Sequence, residues 1–417
     1  MNFFADILSS LFDRKLGLAS RVEDDNKPID ALCQALLSSR GDVSGMSLAQ
    51  LILDRYADLD DAGKLAWFSL LANDMDVPAE IAIAAIKAYQ DAPSAKNYEA
   101  MTARVEPARL QFIRRLNQTH DATAKLVAMR EDLIRFLPEH PNLGKLNVDF
   151  KHLFASWFNR GFLVLRPINW SSPAHILEKI ITYESVHEIE NWDDLRRRLQ
   201  PEDRRCFAFF HPAMPDEPLI FVEVALTKGT PNSIQNVLLE NRDAMAAEKA
   251  DTAAFYSISN CQAGLAGISF GNSLIKTVVQ HLLRELPQIR NFVTLSPIPG
   301  LVKWLRESDN FDADATAETH MQLAAHYLLN AKHHNGQPRD PVARFHLNNG
   351  ALVGAVHANA DKSKNGMAQS CGVMVSYRYD LSRISENHEA FANQQTVIAE
   401  KSVKNLAAEI EINDRAI

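Results

Sequence analysis

The chain has 417 residues, 46% hydrophobic and 23% charged, with a formal net charge of −8. That length allows two or three domains around a large core. The acidic balance excludes nucleic-acid binding through a basic surface, and no apolar run reaches the roughly 20 residues that cross a bilayer. Cys33, Cys206, Cys261 and Cys371 lie far apart. That spacing fits neither a zinc framework nor a disulfide scaffold, and points to a reducing compartment.

The opening MNFFADILSSLFDRKLGLAS is amphipathic and lacks the basic-then-apolar order of a secretion signal, so a packing or oligomer helix is expected there. The chain ends Asp414-Arg415-Ala416-Ile417 rather than on the Ser-Lys-Leu peroxisomal address, and a cytoplasmic location is expected. Only Gly17, Gly41, Gly45 and Gly63 precede Lys64, and no glycine occurs between Lys64 and Leu143. A stretch this poor in glycine and rich in Ala, Leu, Glu and Arg reads as helices. Pro78 opens one, PAEIAIAAIKAYQ, and Pro138 closes another, ATAKLVAMREDLIRFL. The expectation is an antiparallel bundle over residues 1–150, with the Pro- and Gly-containing segment Leu137–Asn147 as linker.

After Gly161 the texture changes. GFLVLRPI, CFAFFHP and LIFVEVAL read as strands, and AHILEKIITYESV and SIQNVLLENRDAMAAEKA as helices between them. The alternation predicts an α/β catalytic domain over residues 151–417, closed by a helix near Asn393–Ile412.

The most informative stretch follows the strand-like run Ala253–Ser259. Gly264, Gly267 and Gly271 precede a helix whose apolar residues Leu274, Ile275, Val278, Val279, Leu282, Leu283 and Leu286 recur at three-to-four spacing. Glycines admit close approach of backbone N–H groups, and a helix start adds unpaired donors, which together suit an anion. The spacing is neither the Walker pattern nor the dinucleotide fingerprint. A generic phosphate or pyrophosphate site remains, and coenzyme A suits it better than ATP. By itself the turn is also a common structural device.

The next apolar run, Asn291–Leu295, ends at Ser296-Pro297. Two readings stay open for Ser296: a functional hydroxyl at a strand's carboxyl end, or a turn serine set by the following proline. No Gly-x-Ser-x-Gly surrounds it, which disfavours acyl-serine chemistry. In RDPVARFHLNNGAL, Asn349-Gly350 signals a hairpin. Asp340 as N-cap, Pro341 at the first turn and Gly350 beyond the end favour a short helix carrying His346. In the strand SCGVMVSYRY, Tyr377 and Tyr379 share one face and Arg378 takes the other. No spacing of His, Asp and Glu makes a convincing metal site.

GLAGISFGNSLIK, FVTLSPIPGLVKWL, PVARFHLNNGA and SCGVMVSYRYDL, with RRCFAFF and HPAMPDEPLIFVEVALT upstream, resemble the malonyl-CoA decarboxylase family from about Gly161 to Leu381. The resemblance implies a helical oligomerisation domain, giving a homo-oligomer (dimer or tetramer), followed by a GNAT-like mixed-sheet catalytic domain. It carries the family's serine and histidine onto Ser296 and His346, and its active-site tyrosine onto Tyr379. The CoA-phosphate loop falls on Ala266, Gly267, Ile268, Ser269, Phe270, Gly271 and Asn272, with Gly264 just before. GNAT acetyltransferases keep a tyrosine proton donor in an Ala-x-Phe-Tyr-x-x-x-Gly helix. Here Ala343, Phe345 and Gly350 keep that frame while His346 replaces the tyrosine, as expected if CoA is not the leaving group. The sequence departs from eukaryotic members at its C-terminus and in HANADKSKNGMAQS.

The reaction so implied converts malonyl-CoA to acetyl-CoA and CO2. The thioester carbonyl is its own electron sink, so no cofactor is called for beyond the CoA of the substrate. The protein needs donors for an enolate oxygen and a proton for C2, expected from backbone N–H groups near Ser259–Gln262 and from Ser296 and His346, whose roles are interchangeable at this stage. The alternatives are an acyl-CoA-dependent N-acyltransferase on the same fold, or a helical assembly protein that senses acyl-CoA.

Overall fold

The computed structural model describes residues 27–38, 42–268, 270, 274–410 and 412; the predicted N-terminal amphipathic helix lies outside them. The chain forms two compact units. One runs to Phe162 and also takes in the segment from Gln262 to Ser269; the other holds the remainder.

The first unit is helical: α1 (Ile29–Ser38), α2 (Asp42–Ala57), α3 (Asp61–Asn73), α4 (Ala79–Asp91), α5 (Ala95–Val105), α6 (Ala108–Leu116), α7 (Ala122–Phe136) and α8 (Gly144–Trp157). Local chemistry sets the starts. Asp60 and Ser94 accept the N–H groups of Gly63 and Asn97, while Pro78 and Pro107 occupy the cap positions of α4 and α6. Phe68, Phe112, Leu126 and Phe150 are among its fully buried side chains. The expected linker Leu137–Asn147 belongs to this core instead. Its second proline starts a short 3-10 turn that leads straight into α8, and Leu143 and Leu146 are fully buried.

The outlying segment Gln262–Ser269 is fastened to this unit. A Cβ at Gly264 would lie 1.9 Å from the carbonyl oxygen of Val127 on α7, so only glycine permits the approach. Gly264→Ala is therefore expected to lift the segment off α7 and cost about 1–3 kcal/mol by overpacking, read as a lower melting temperature.

The second unit is built on one mixed sheet of β1 (Val164–Ile168), β2 (Arg204–His211), β3 (Met214–Thr227), β4 (Thr252–Asn260), β5 (Asn291–Thr294), β6 (Ser296–Pro297), β7 (Leu352–His357) and β8 (Met374–Arg378). The order is β1-β2-β3-β4-β5-β8-β6, with β7 also on β8. Pairing is antiparallel throughout except between β4 and β5. A helix, α12 (Leu274–Glu285), lies between those two strands in sequence and buries the predicted face, Leu274, Ile275, Val278, Val279 and Leu282. Parallel neighbours need such a crossover. This is the helical region followed by a mixed sheet that the resemblance implied.

Side chains alternate across the sheet. On one face Ala208, Phe210 and Phe221 pack with α9 (Ala174–Tyr183) and α10 (Trp192–Leu199). On the other, Phe207 meets His281 of α12 edge-on at 5.1 Å. A register shift opposite Glu223/Val224 leaves Tyr256 as an extra residue in β4.

Two expected helices are corrected. Only Ile234–Leu238 (α11) of the segment 233–250 is a full helical turn. The rest is held by tertiary bonds, because Arg242 and the Met245 N–H both go to Asp203. At the C-terminal end the single helix near Asn393–Ile412 is two, α17 (Ile384–Gln394) and α18 (Lys401–Ala408). Gln395, at φ 53°, breaks the run, and Ala399 then pairs with Val353 of β7. The remaining helices are α13 (Leu301–Glu307), α14 (Ala317–Asn330), α15 (Pro341–Asn348) and α16 (Lys364–Ser370).

Candidate active site

Three pieces of local structure bring the site together in the second unit. β5 ends at Thr294, and Ser296 starts β6 opposite Val375 of β8. Along this segment Thr294 and Ser296 stand on the same side, since side chains repeat every second residue. α15 forms as the caps dictate: Asp340 Oδ1 accepts the Ala343 N–H at 2.8 Å, Pro341 sits in the first turn, and His346 falls in the last. Tyr377 and Tyr379 come from β8 and the residue just past it, both buried, while Arg378 points out to Glu400.

Ser296 Oγ lies 3.2 Å from His346 Nε2, and His346 Nδ1 lies 2.8 Å from Tyr379 Oη. Ser296 donates its own hydrogen to Thr294 Oγ1 at 2.8 Å, and Thr294 Oγ1 also accepts the Tyr377 N–H at 3.0 Å. With the serine hydrogen committed to Thr294, the Ser296 oxygen is the acceptor for an Nε2–H. Nδ1 then accepts from the Tyr379 phenol. The hydrogen bonds run one way, from Tyr379 through His346 and Ser296 to Thr294. The imidazole is held flat by Tyr377, stacked at 4.5 Å with 25° between the rings.

Burial sets the electrostatics. His346 is 3% exposed, and desolvation holds its pKa down to about 3. Burial likewise pushes the Tyr379 phenol well above its ordinary value. No charged neighbour contributes to either shift, so the imidazole and phenol are neutral near pH 7. Asp340, raised by burial to about 6, supports the helix that carries His346 rather than touching the imidazole.

The structure therefore unites Ser296, His346 and Tyr379. Gly264, Ala266, Gly267 and Ile268 belong to the segment grouped with the helical unit, whereas Phe270 is buried in the second unit. Ser269, Gly271 and Asn272 lie outside the described residues.

The profile of the malonyl-CoA decarboxylase C-terminal domain matches residues 161–319 and 307–416, and that of the N-terminal domain matches 77–158. The chain belongs to the malonyl-CoA decarboxylase family. Among its relatives in that family, malonyl-CoA decarboxylase, mitochondrial, of Anser anser anser is 37% identical over 341 residues, covering 70% of this chain and 67% of that one. The crystal structure of malonyl-CoA decarboxylase from Rhodopseudomonas palustris superposes with a TM-score of 0.85 at 49% identity, over 90% of this chain and 98% of that one. The structure from Agrobacterium vitis gives 0.86 at 46% identity, over 91% and 99%.

Thr294 is the residue of this site that sequence reasoning missed. The available signal was a hydroxyl two positions before Ser296, on the same face of an otherwise apolar strand. Thr294→Val keeps the shape but removes the acceptor for both Ser296 and the Tyr377 N–H. It is expected to cost about 1–3 kcal/mol in stability by leaving a buried donor unpaired, with turnover falling alongside. Thr294→Ser keeps the oxygen and should restore both; calorimetry and the rate of CO2 release are the readouts.

Proposed function

We propose that this chain decarboxylates malonyl-CoA to acetyl-CoA and CO2, with the phosphates of the coenzyme at the 266–272 loop and the acyl end at Ser296 and His346. The observation that carries this reading is the buried Tyr379–His346–Ser296 chain, in which His346 and Tyr379 are shifted by desolvation alone. In the reaction the bond between C2 and the carboxylate carbon breaks. Its electron pair moves onto C2 and the thioester oxygen, CO2 departs, and C2 takes up one proton.

Each need has a group to meet it. β5 pairs with β4 only from Thr252 to Phe255, then leaves for β8. Cys261 donates to Leu219 of β3, so by the alternation of an antiparallel pair Ile258 and Asn260 turn their N–H groups to the opposite side, where β5 no longer runs. Those N–H groups suit the thioester oxygen as it gains charge. The N–H of Cys261, within the stretch expected to hold the thioester, is already bonded.

The malonyl carboxylate meets a neutral hydroxyl and imidazole rather than a cation. A cation there would stabilise the charge most in the ground state, before it moves to the enolate, and so oppose the chemistry. Protonation of C2 draws on the Ser296–His346 pair, with the Tyr379 phenol as the donor on the far side of the imidazole.

The chain acts in this reading as a cytoplasmic homo-oligomer, a dimer or tetramer joined through its helical unit. Support comes from four free cysteines and from the exposed apolar side chains Ile81, Ile83 and Ile86 on α4 and Tyr98 on α5. Among the described residues no helix is long and apolar enough to cross a membrane. The test of the activity is incubation of the purified protein with malonyl-CoA and mass identification of the products. Acetyl-CoA with one equivalent of CO2 supports it; free CoA formed only when an amine is added would replace it with acyl transfer.

A further inference from the structure

Residues 262–269 follow β4 in the chain yet belong to the helical unit, and two cations of that unit meet them. Arg130 of α7 is 1% exposed and has no carboxylate partner among the described residues. It donates from Nη1 to the Gly264 carbonyl at 2.6 Å, from Nη2 to the Ala266 carbonyl at 2.8 Å and from Nε to Asn147 Oδ1 at 3.0 Å. In a trans peptide the C=O of Ala266 and the N–H of Gly267 point in opposite directions. Holding that carbonyl on Arg130 therefore turns the Gly267 N–H away from the guanidinium. Among the described residues this N–H has no acceptor.

The second cation stands at the same place. Gly267 is exposed, with φ +75°, and the position a Cβ would take there is 3.5 Å from both Cε and Nζ of Lys151 on α8. Lys151 is exposed and has no ion-pair partner among the described residues. An outward N–H and an uncommitted ammonium at one glycine are the elements of an anion site.

We infer that Lys151 of the helical unit binds a phosphate group of the coenzyme together with the Gly267 N–H, and that Arg130 is the positioning residue that aims that N–H. The inference rests on the reading that the 266–272 loop receives CoA phosphates. It gives the helical unit a coenzyme contact of its own, beyond any role in assembly. The ligand chemistry is a phosphate monoester or diphosphate, which CoA offers at its 3′-phosphate and its pyrophosphate.

The test is calorimetric titration of the full chain and its Lys151→Ala, Lys151→Glu and Lys151→Arg variants with CoA and dephospho-CoA, alongside kinetics with malonyl-CoA and malonyl-pantetheine. Lys151 is on the surface, so folding of the variants is expected and circular dichroism checks it. Lys151→Ala should weaken CoA binding about tenfold, as loss of a charge-assisted phosphate contact does. Lys151→Glu should weaken it further, and Lys151→Arg, which keeps the charge, should come back to within about threefold. In turnover the defect should fall on KM for malonyl-CoA, with malonyl-pantetheine far less affected. If the defect persists with dephospho-CoA, the pyrophosphate is the contact; if it vanishes, the 3′-phosphate is. Equal CoA affinity in the unmodified chain and Lys151→Glu would overturn the inference, while continued CO2 release by that variant would leave the decarboxylase reading standing. Lys151-dependent CoA binding without CO2 release would do the reverse.

Discussion

Replacing His346 with alanine is expected to lower kcat for CO2 release from malonyl-CoA by about 10²–10⁴-fold, the usual contribution of a positioned proton-transfer group. The variant loses the group that links Tyr379 to Ser296, since one ring nitrogen faces each. It also removes the ring stacked on Tyr377, so thermal unfolding must be compared before the rate is read. His346→Gln offers a donor and an acceptor in a similar volume and should fold normally while remaining slow. Near-normal CO2 release by either variant would remove His346 from the chemistry. The pH dependence is a second check. Burial holds the imidazole down to about 3, so its working neutral form is fully populated above about pH 5. No limb from His346 is expected between pH 5 and 8, whereas an unperturbed histidine would give one near 6.5. An inflection close to pH 6 would report Asp340, raised to about 6, and should vanish in Asp340→Asn.

The helix that carries His346 was readable in the sequence because its signals are local. Asp340, Pro341 and Gly350 fix its two ends within a few residues, and they prevail over the hairpin signal of Asn349-Gly350. Gly350 takes φ +81° as the residue beyond the helix, against Ile384, whose carbonyl oxygen would lie 2.1 Å from a Cβ there. The amphipathic spacing of α12 and the strand end at Ser296 were legible for the same reason. What the sequence hid depends on distant partners. Nothing near residues 262–269 announces that they dock on α7, because Arg130 and Val127 lie far away in the chain. The trace was Arg130 itself, a charge on the face where Leu126, Val127 and Leu133 set an apolar period. Likewise the segment 233–250 has helical spacing but is pulled out of a helix by Asp203, a contact no window of local sequence contains.

Ser296→Ala is expected to cost about 10²–10⁴-fold in kcat, the usual contribution of a positioned proton-transfer group. The substitution takes away one oxygen, 6% exposed, from between Thr294 and His346, and leaves the fold of β6 intact because its pairing with Val375 is main-chain. It also strands the Nε2–H of the imidazole, so the two residues should not act independently. If Ser296 and His346 work as one proton-delivery unit, the double variant Ser296→Ala/His346→Ala should be little slower than the worse single variant. Multiplicative losses would instead assign them separate steps. The proton step can be isolated from loss of CO2 by incubating acetyl-CoA with the protein in deuterium oxide and following deuterium at C2. That exchange passes through the same enolate, so both single variants should lose it together with decarboxylation. A Ser296→Ala protein that exchanges C2 at the unmodified rate but fails to release CO2 would place the hydroxyl at the carboxylate and leave the proton to His346 alone.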